Sequence, residues 1–295
     1  MLAIVLALTS AIAHGSSDYA GGLASRAASV IQVTLLGSAV AAVTVACALP
    51  FAAAHRPSAA SLAWGAAAGL GGTVGVLALY YGFRHAAFSV AGPLSAVGAA
   101  GFSVLAGLLL GERPSALALI GIVLALPAIV GVSASAASGD QAEEPGPETS
   151  GEVRGQPMAG VAFGLVAGAC FALLLIGLNR AGSHGGLWPV AAAQAAELTV
   201  ILVVAAVTGN IRRPGARQGM LAAICGATGA AGTILFFFAT HQGFLAVTAV
   251  LTSLYPAVTI VLARTLLGEK LTVLRLAGLG LAAVCVALIA AGGAG

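Results

Sequence analysis

Apolar runs of helix length alternate with short polar breaks along the whole chain. A helix needs about 20 residues to cross a ~30 Å hydrocarbon layer. Runs of that size lie at 2–21, 30–53, 61–83, 87–110, 115–135, 158–179, 187–208, 218–240, 244–267 and 272–292. The breaks include Arg26, His55-Arg56-Pro57, Arg84-His85, Gly111-Glu112-Arg113, Arg180, Arg212-Arg213-Pro214 and Gly268-Glu269-Lys270. The two-residue alternation of membrane strands is absent. The pattern predicts an all-α membrane protein with ten transmembrane helices. The weak breaks at Arg84-His85 and His241-Gln242 predict that helices three and four, and eight and nine, are hairpin neighbours.

Two stretches depart from this rhythm. The opening MLAIVLALTSAIAHG has the small-x-small look of a cleaved leader at Ala11-Ile12-Ala13. No Lys or Arg precedes its apolar run, which continues past that point, so an uncleaved first span is expected. Ser138 to Pro157 is acidic and rich in Gly, Pro, Glu and Ser. It has too little apolar area to order itself and reads as a disordered linker between residues 1–137 and 158–295.

The two sides of that linker repeat each other. Ala86–Arg113 ends in Leu-Gly-Glu-Arg and Gly243–Lys270 ends in Leu-Gly-Glu-Lys, an offset of 157 residues. At the same offset Gly72 meets Gly229, Gly75 meets Gly232, Leu94 meets Leu251 and Gly121 meets Gly278. Repeats of this size set the architecture before any local reading does. Each half holds five predicted spans, an odd number, so the second half enters the membrane in the opposite sense. Two inverted five-helix repeats are a common plan of secondary transporters. A scaffold or a membrane enzyme built on a duplicated bundle is the alternative.

Composition agrees with the solvent implied by the pattern. Hydrophobic residues make up 60% and charged residues 7%, against about 25% charged in a soluble domain. Mean hydropathy is +1.06. The net charge of +3 carries no basic cluster on a soluble face, so nucleic acid is not an expected partner. Cys47, Cys170, Cys225 and Cys285 lie inside apolar runs without CxxC spacing or clustered histidines. They read as buried free thiols, and no metal or other cofactor is expected. Gly65-xxx-Gly69, Gly71-xxx-Gly75, Gly107-xxx-Gly111 and Gly164-xxx-Gly168 read as close helix contacts. Gly71-Gly72-Thr73-Val74-Gly75 lacks the Lys-Ser/Thr of a phosphate loop, and no Walker A sequence is present to power transport with ATP. No nucleophile with a base is visible, so enzymatic activity is not expected.

Polar groups at membrane depth are the candidates for chemistry, because they are expensive to insert. Asp18 and Glu197 are the two carboxylates well within a predicted span. Ser10, His14 and Asp18 share one face of helix one, and Gln194 and Glu197 share one face of helix seven. Asp18 either lines a cavity or snorkels to the interface. Glu197 either lines a cavity or ties helices together. Buried carboxylates can titrate, so proton coupling is an expectation. Tyr80, Tyr81, Phe237 and their neighbours close helices three and eight, as an interfacial aromatic belt or as a cavity wall. Thr248, Thr252, Tyr255 and Thr259 form a stripe on helix nine that either lines a cavity or bonds back to its own helix. Pro93 and Pro256 lie inside helices four and nine and free backbone carbonyls there, and Asn179 is a further candidate.

The chain resembles the EamA family of the drug/metabolite transporter superfamily. The resemblance rests on SLYPAVTIVLARTLLGEKLTVLRLAGLGL and AGFSVLAGLLLGERPSALALIGIVLA, supported by HGSSDYAGGLASR and GLWPVAAA. It implies ten helices in two inverted units around a cavity lined mainly by helices one, three, four, six, eight and nine. It implies a secondary transporter of the cytoplasmic membrane, with amino acids, other metabolites, nucleotide sugars or drugs as the range of cargo. An exporter working by alternating access is the leading expectation. Uptake, an uncoupled permease and a non-transporting scaffold are the alternatives. The expected partners are the lipid bilayer and a small-molecule substrate, with the protein a monomer or homodimer. The resemblance suggests termini inside. The charge count places Arg56, Arg113 and Arg180 on the side of the termini and nine other Lys and Arg residues opposite, which puts the termini outside. The charge count is followed here.

Overall fold

The computed structural model describes residues 1–25, 27–52, 56–85, 88–134, 157–209, 214–267 and 273–292, with backbone alone at 79–85, 88–93, 132–134, 157–161, 260, 263, 267 and 275. The linker 138–156, the second Gly-Glu-Lys tag and the side chains of Tyr80 and Tyr81 lie outside the described residues. The described chain is helical. In order come α1 (Leu2–Ser25), α2 (Val30–Ala48) running into a 3-10 turn (Leu49–Ala52), α3 (Ala59–His85), α4 (Phe88–Leu109) and α5 (Ala116–Ala134). Then follow α6 (Pro157–Arg180), α7 (Trp188–Val207), α8 (Ala216–Thr240), α9 (Leu245–Thr252), α10 (Tyr255–Leu267) and α11 (Val273–Gly292).

Among the described residues, six helical stretches are long and apolar enough to cross a membrane, at 30–52, 59–78, 162–180, 188–207, 216–240 and 245–266. Shorter apolar helices occupy 94–109, 116–131 and 276–292. A helix pairs its backbone groups within itself, which is what hydrocarbon demands of a crossing segment. The 24-residue α1 is long enough but is not among the six, because His14, Ser16, Ser17 and Asp18 crowd its second half.

Local chemistry sets the helix ends. The Ser58 hydroxyl accepts from Ser61 N–H at 3.1 Å and the Ser115 hydroxyl from Ala118 N–H at 3.2 Å, capping α3 and α5. Pro157 opens α6, where its missing N–H costs nothing. At the end of α4, Gly111 adopts φ +92°, its N–H reaches Leu108 O, and Glu112 N–H reaches Gly107 O. That is a Schellman stop, which favours glycine at the left-handed position. Of the Gly107-xxx-Gly111 pair, Gly107 marks a close helix contact, a Cβ there standing 3.2 Å from Ala246 Cβ of α9, while Gly111 serves the stop and meets nothing within 4 Å. A Cβ on Gly107 would collide with the Glu112 carboxylate. That carboxylate accepts the N–H groups of Leu245 (2.5 Å) and Ala246 (2.9 Å), two orphan donors at the start of α9. The Leu-Gly-Glu tag thus stops one helix and caps another far along the chain.

The predicted ninth span is not continuous. It breaks at Ser253-Leu254, where Leu254 N–H turns to Leu251 O and Ala257 N–H to Leu254 O. The cause is Pro256, whose ring excludes the carbonyl four residues back and which offers no N–H. Pro256 stands in the first turn of α10 rather than inside a helix.

The most extensive helix pairings join distant parts of the chain: α1 with α8, α3 with α6, α4 with α6, α3 with α7, and α5 with α11. The expected neighbours α3 and α4, and α8 and α9, touch only lightly. Glycine sets the closest approaches. Gly65 and Gly69 of α3 sit on the backbone of Pro189 and Ala193 of α7, Gly37 of α2 meets Gly226 of α8, and Gly98 of α4 meets Gly168 of α6. One core cluster gathers α1, α4, α5, α9 and α11 around Ile4, Ile122, Ile129, Val250 and Ile289. A second gathers α2, α3, α6, α7 and α8 around Val45, Leu178, Val190, Phe236 and Phe237.

Candidate functional site

The site begins with the seam between α1 and α8. Ser10 is fully buried and its hydroxyl donates to Gly232 O at 2.7 Å. The His14 ring lies against Gly232, where a Cβ would stand 2.9 Å from two ring atoms. One turn on, the Ser17 hydroxyl donates to Cys225 O at 2.8 Å and lies 3.3 Å from its sulfur. Gly21 then faces that sulfur directly. Small residues on α8 let the polar face of α1 dock on it, and the seam anchors Ser10 as a helix tie.

Asp18 follows in the same register but differs in kind. It is exposed, though protein surrounds it closely. It makes no hydrogen bond or ion pair with any described residue. Cys225 of α8 and Tyr255 of α10 lie within electrostatic reach of its carboxylate. Tyr255 lies just beyond the α9–α10 break, where Gly15 admits the Tyr255 backbone oxygen and Thr259 donates to Gly15 O at 3.1 Å.

Glu197 stands half-buried on α7. It also interacts with Cys225, which stands within reach of both carboxylates. Ser38 of α2 donates to Glu197 Oε1 at 2.8 Å, and Gln194 Nε2 lies 3.4 Å from Oε2. A carboxylate only accepts, so this contact fixes the amide of Gln194 with its nitrogen toward Glu197. Its oxygen is then buried without a partner. A charge in the membrane interior costs about 2.5–3.5 kcal/mol on insertion scales, which hydrogen-bond donors such as Ser38 and Gln194 offset in part.

The remaining candidates are placed elsewhere. Asn179 Nδ2 donates to Thr240 Oγ1 at 2.9 Å and to Thr240 O at 3.2 Å, tying α6 to the end of α8. Phe237 is fully buried, edge-on to Phe238 at 5.8 Å and 4.5 Å from the His241 ring, in the bundle core. Thr248 bonds back to Phe244 O and Leu245 O. The Thr252 hydroxyl is buried at the helix break and has no partner.

Three contributors were not singled out from the sequence: Ser17, Ser38 and Cys225. The four thiols are free, but Cys285 alone is buried, while Cys47 is exposed and Cys170 and Cys225 are half-buried, so the expectation of buried filler fails for three of them. The 157-residue offset was the signal that could have found Cys225 and Ser38. Cys225 falls on Ala68, Ser38 on Ala195, Asp18 on Leu175, Glu197 on Val40 and Gln194 on Gly37. Each polar member of the cluster has an apolar or side-chain-free counterpart in the other half.

The EamA-like transporter family matches residues 1–134 and 158–291. The chain belongs to that family. No curated protein matches the chain in sequence. A solved crystal structure superimposes with a TM-score of 0.74 at 16% identity, over 97% of this chain and 95% of its own, a likeness that carries the fold alone. As an EamA-like protein of the drug/metabolite transporter superfamily, the chain is a multi-pass membrane transporter. In this EamA-like transporter, Asp18 of α1 and Glu197 of α7 both lie within electrostatic reach of Cys225.

Proposed function

We propose that this protein is a secondary transporter of the cytoplasmic membrane that exports a small metabolite or amphipathic compound by alternating access, with protons as the coupling ion. Ten spans form two inverted five-helix repeats, 1–137 and 158–295, with α9 and α10 together making the ninth span. The contact register supports the repeat. His14 on Gly232, Ser17 on Gly229 and Gly21 on Cys225 reappear at the 157-residue offset as Phe171 on Gly75, Leu174 on Gly72 and Gly177 on Ala68, one position from the last counterpart. The charge distribution favours termini on the outer side.

The observation that carries the reading is Asp18, a carboxylate of α1 with no partner among the described residues, within electrostatic reach of Cys225 on α8 and Tyr255 on α10. Such a group can hold a proton in one state and a substrate or water in the other. The helix break beside Tyr255 places irregular backbone at the same level, as discontinuous helices do at transporter binding sites. Counterflow in proteoliposomes tests the proposal with a panel of amino acids, amines and nucleotide sugars. Saturable exchange of at least one compound is expected. Absence of exchange for every compound, with the protein folded and inserted, overturns it.

A further inference from the structure

We propose that the α8–α9 turn and the eight-residue α9 form one opening unit, clamped in place by two side chains from other elements, Asn179 of α6 and Glu112 of the α4–α5 turn. The inference rests on the transport reading for what the opening serves, the release of one end of the bundle.

The backbone hydrogen bonds at the turn carry it. The last four carbonyls of a helix have no partner within that helix. In α8, His241 Nδ1 donates to Phe237 O at 2.6 Å, His241 N–H to Phe238 O at 3.3 Å and Gln242 N–H to Ala239 O at 3.0 Å. The turn closes those three by itself. The fourth, Thr240 O, accepts from Asn179 Nδ2 at 3.2 Å, and the same amide donates to Thr240 Oγ1 at 2.9 Å. The start of α9 is the mirror case. Leu245 and Ala246 N–H donate to the two oxygens of Glu112, at 2.5 and 2.9 Å. One turn is thus held on its near side by Asn179 and on its far side by Glu112. Along the rest of their length α6 and α8 touch only lightly.

The helix beyond the turn depends on these ties. All eight residues of α9 are buried, and the helix stops at the Ser253-Leu254 break. Two turns of helix have little stability of their own. Proteins open locally in contiguous cooperative units, and the break marks the far boundary of this one. The clamp is also one-sided. At the 157-residue offset Asn179 falls on Gly22 and Thr240 on Phe83. A Cβ at Gly22 meets nothing within 4 Å, so the counterpart turn has no amide arm from α1.

The test is amide hydrogen exchange, read by mass spectrometry, on the full chain in lipid nanodiscs. If the turn and α9 open together, each arm protects amides that it does not touch. Asn179→Ala is expected to speed exchange at Leu245 and Ala246 by about tenfold, the scale of one net hydrogen bond. Glu112→Gln is expected to speed it at His241 and Gln242. The double variant is expected to add the two effects across residues 241–252, with α10, α5 and α11 unchanged. Thr240→Val removes one acceptor and keeps the volume, and is expected to give a smaller rise over the same residues. Effects confined to the side of each substitution overturn the proposal. So does an equal rise in α10, which would make α9 and α10 one unit, or a uniform rise along the chain, which would make both residues general ties. The measurement uses no substrate. Failure of the clamp therefore leaves the transport reading standing, and absence of counterflow leaves the clamp standing.

Discussion

His14 and Phe171, 157 positions apart, each lay a ring against a glycine of an antiparallel helix, Gly232 for one and Gly75 for the other. A Cβ at Gly232 would stand 2.9 Å from the His14 ring, and one at Gly75 would stand 2.8 Å from the Phe171 ring. The same steric arrangement serves α1 on α8 and α6 on α3. The two seams differ in chemistry: one is lined by Ser10, His14, Ser17 and Asp18, the other by Ala167, Phe171, Leu174 and Leu175.

The first prediction follows from that match. Gly232→Val and Gly75→Val are each expected to destabilise the protein by about 1–3 kcal/mol, the usual cost of overpacking. Gly22→Ala, where a Cβ meets nothing within 4 Å, is expected to stay within about 0.5 kcal/mol of the parent. Thermal unfolding in detergent measures all three. Equal tolerance at Gly232 and Gly22 would contradict the close seam.

The second concerns the latch from Glu112 to α9. The carboxylate satisfies two orphan donors at a helix N-terminus, where negative charge is also favourable. Glu112→Ala is expected to cost about 1–2 kcal/mol. Glu112→Gln, which keeps one acceptor and loses the charge, is expected to fall between parent and alanine variant. Amide hydrogen exchange at Leu245 and Ala246 locates the effect, and unchanged protection there would refute the cap.

Much of this fold is legible in the residue pattern, for a physical reason. Hydrocarbon forbids unpaired backbone, so each apolar run of sufficient length must be a helix. The helix bounds therefore follow the polar breaks closely. What the pattern hides is pairing. Nothing in the run 2–21 says that it docks on α8 rather than on its neighbour α2, because lipid-facing and partner-facing residues are equally apolar. The break at Ser253 was hidden in part: Pro256 signals a disturbed helix, but not that the helix ends at Thr252. Asp18 and Glu197 were visible as costly residues. That both lie within reach of Cys225, and that Ser10 and Asn179 serve as ties, depends on contacts between residues far apart in sequence.

The third prediction contrasts two buried hydroxyls. Ser10→Ala removes a hydrogen bond to Gly232 O and is expected to cost about 1 kcal/mol. Thr252→Val removes a hydroxyl that has no partner, in a similar volume, and is expected to be neutral or stabilising. A loss at Thr252 as large as that at Ser10 would show that its hydroxyl is engaged.

The measurement closest to the central claim is proton-driven transport by Asp18→Asn. Asparagine keeps the size and polarity of the side chain but cannot carry a proton or a charge. The variant is expected to fold, insert and bind lipid as the parent does. With a substrate identified by counterflow, parent and variant are reconstituted in proteoliposomes under an imposed pH gradient. The parent is expected to accumulate substrate against its concentration gradient, and Asp18→Asn to accumulate none. Accumulation by Asp18→Asn at the parental rate and level would contradict the account.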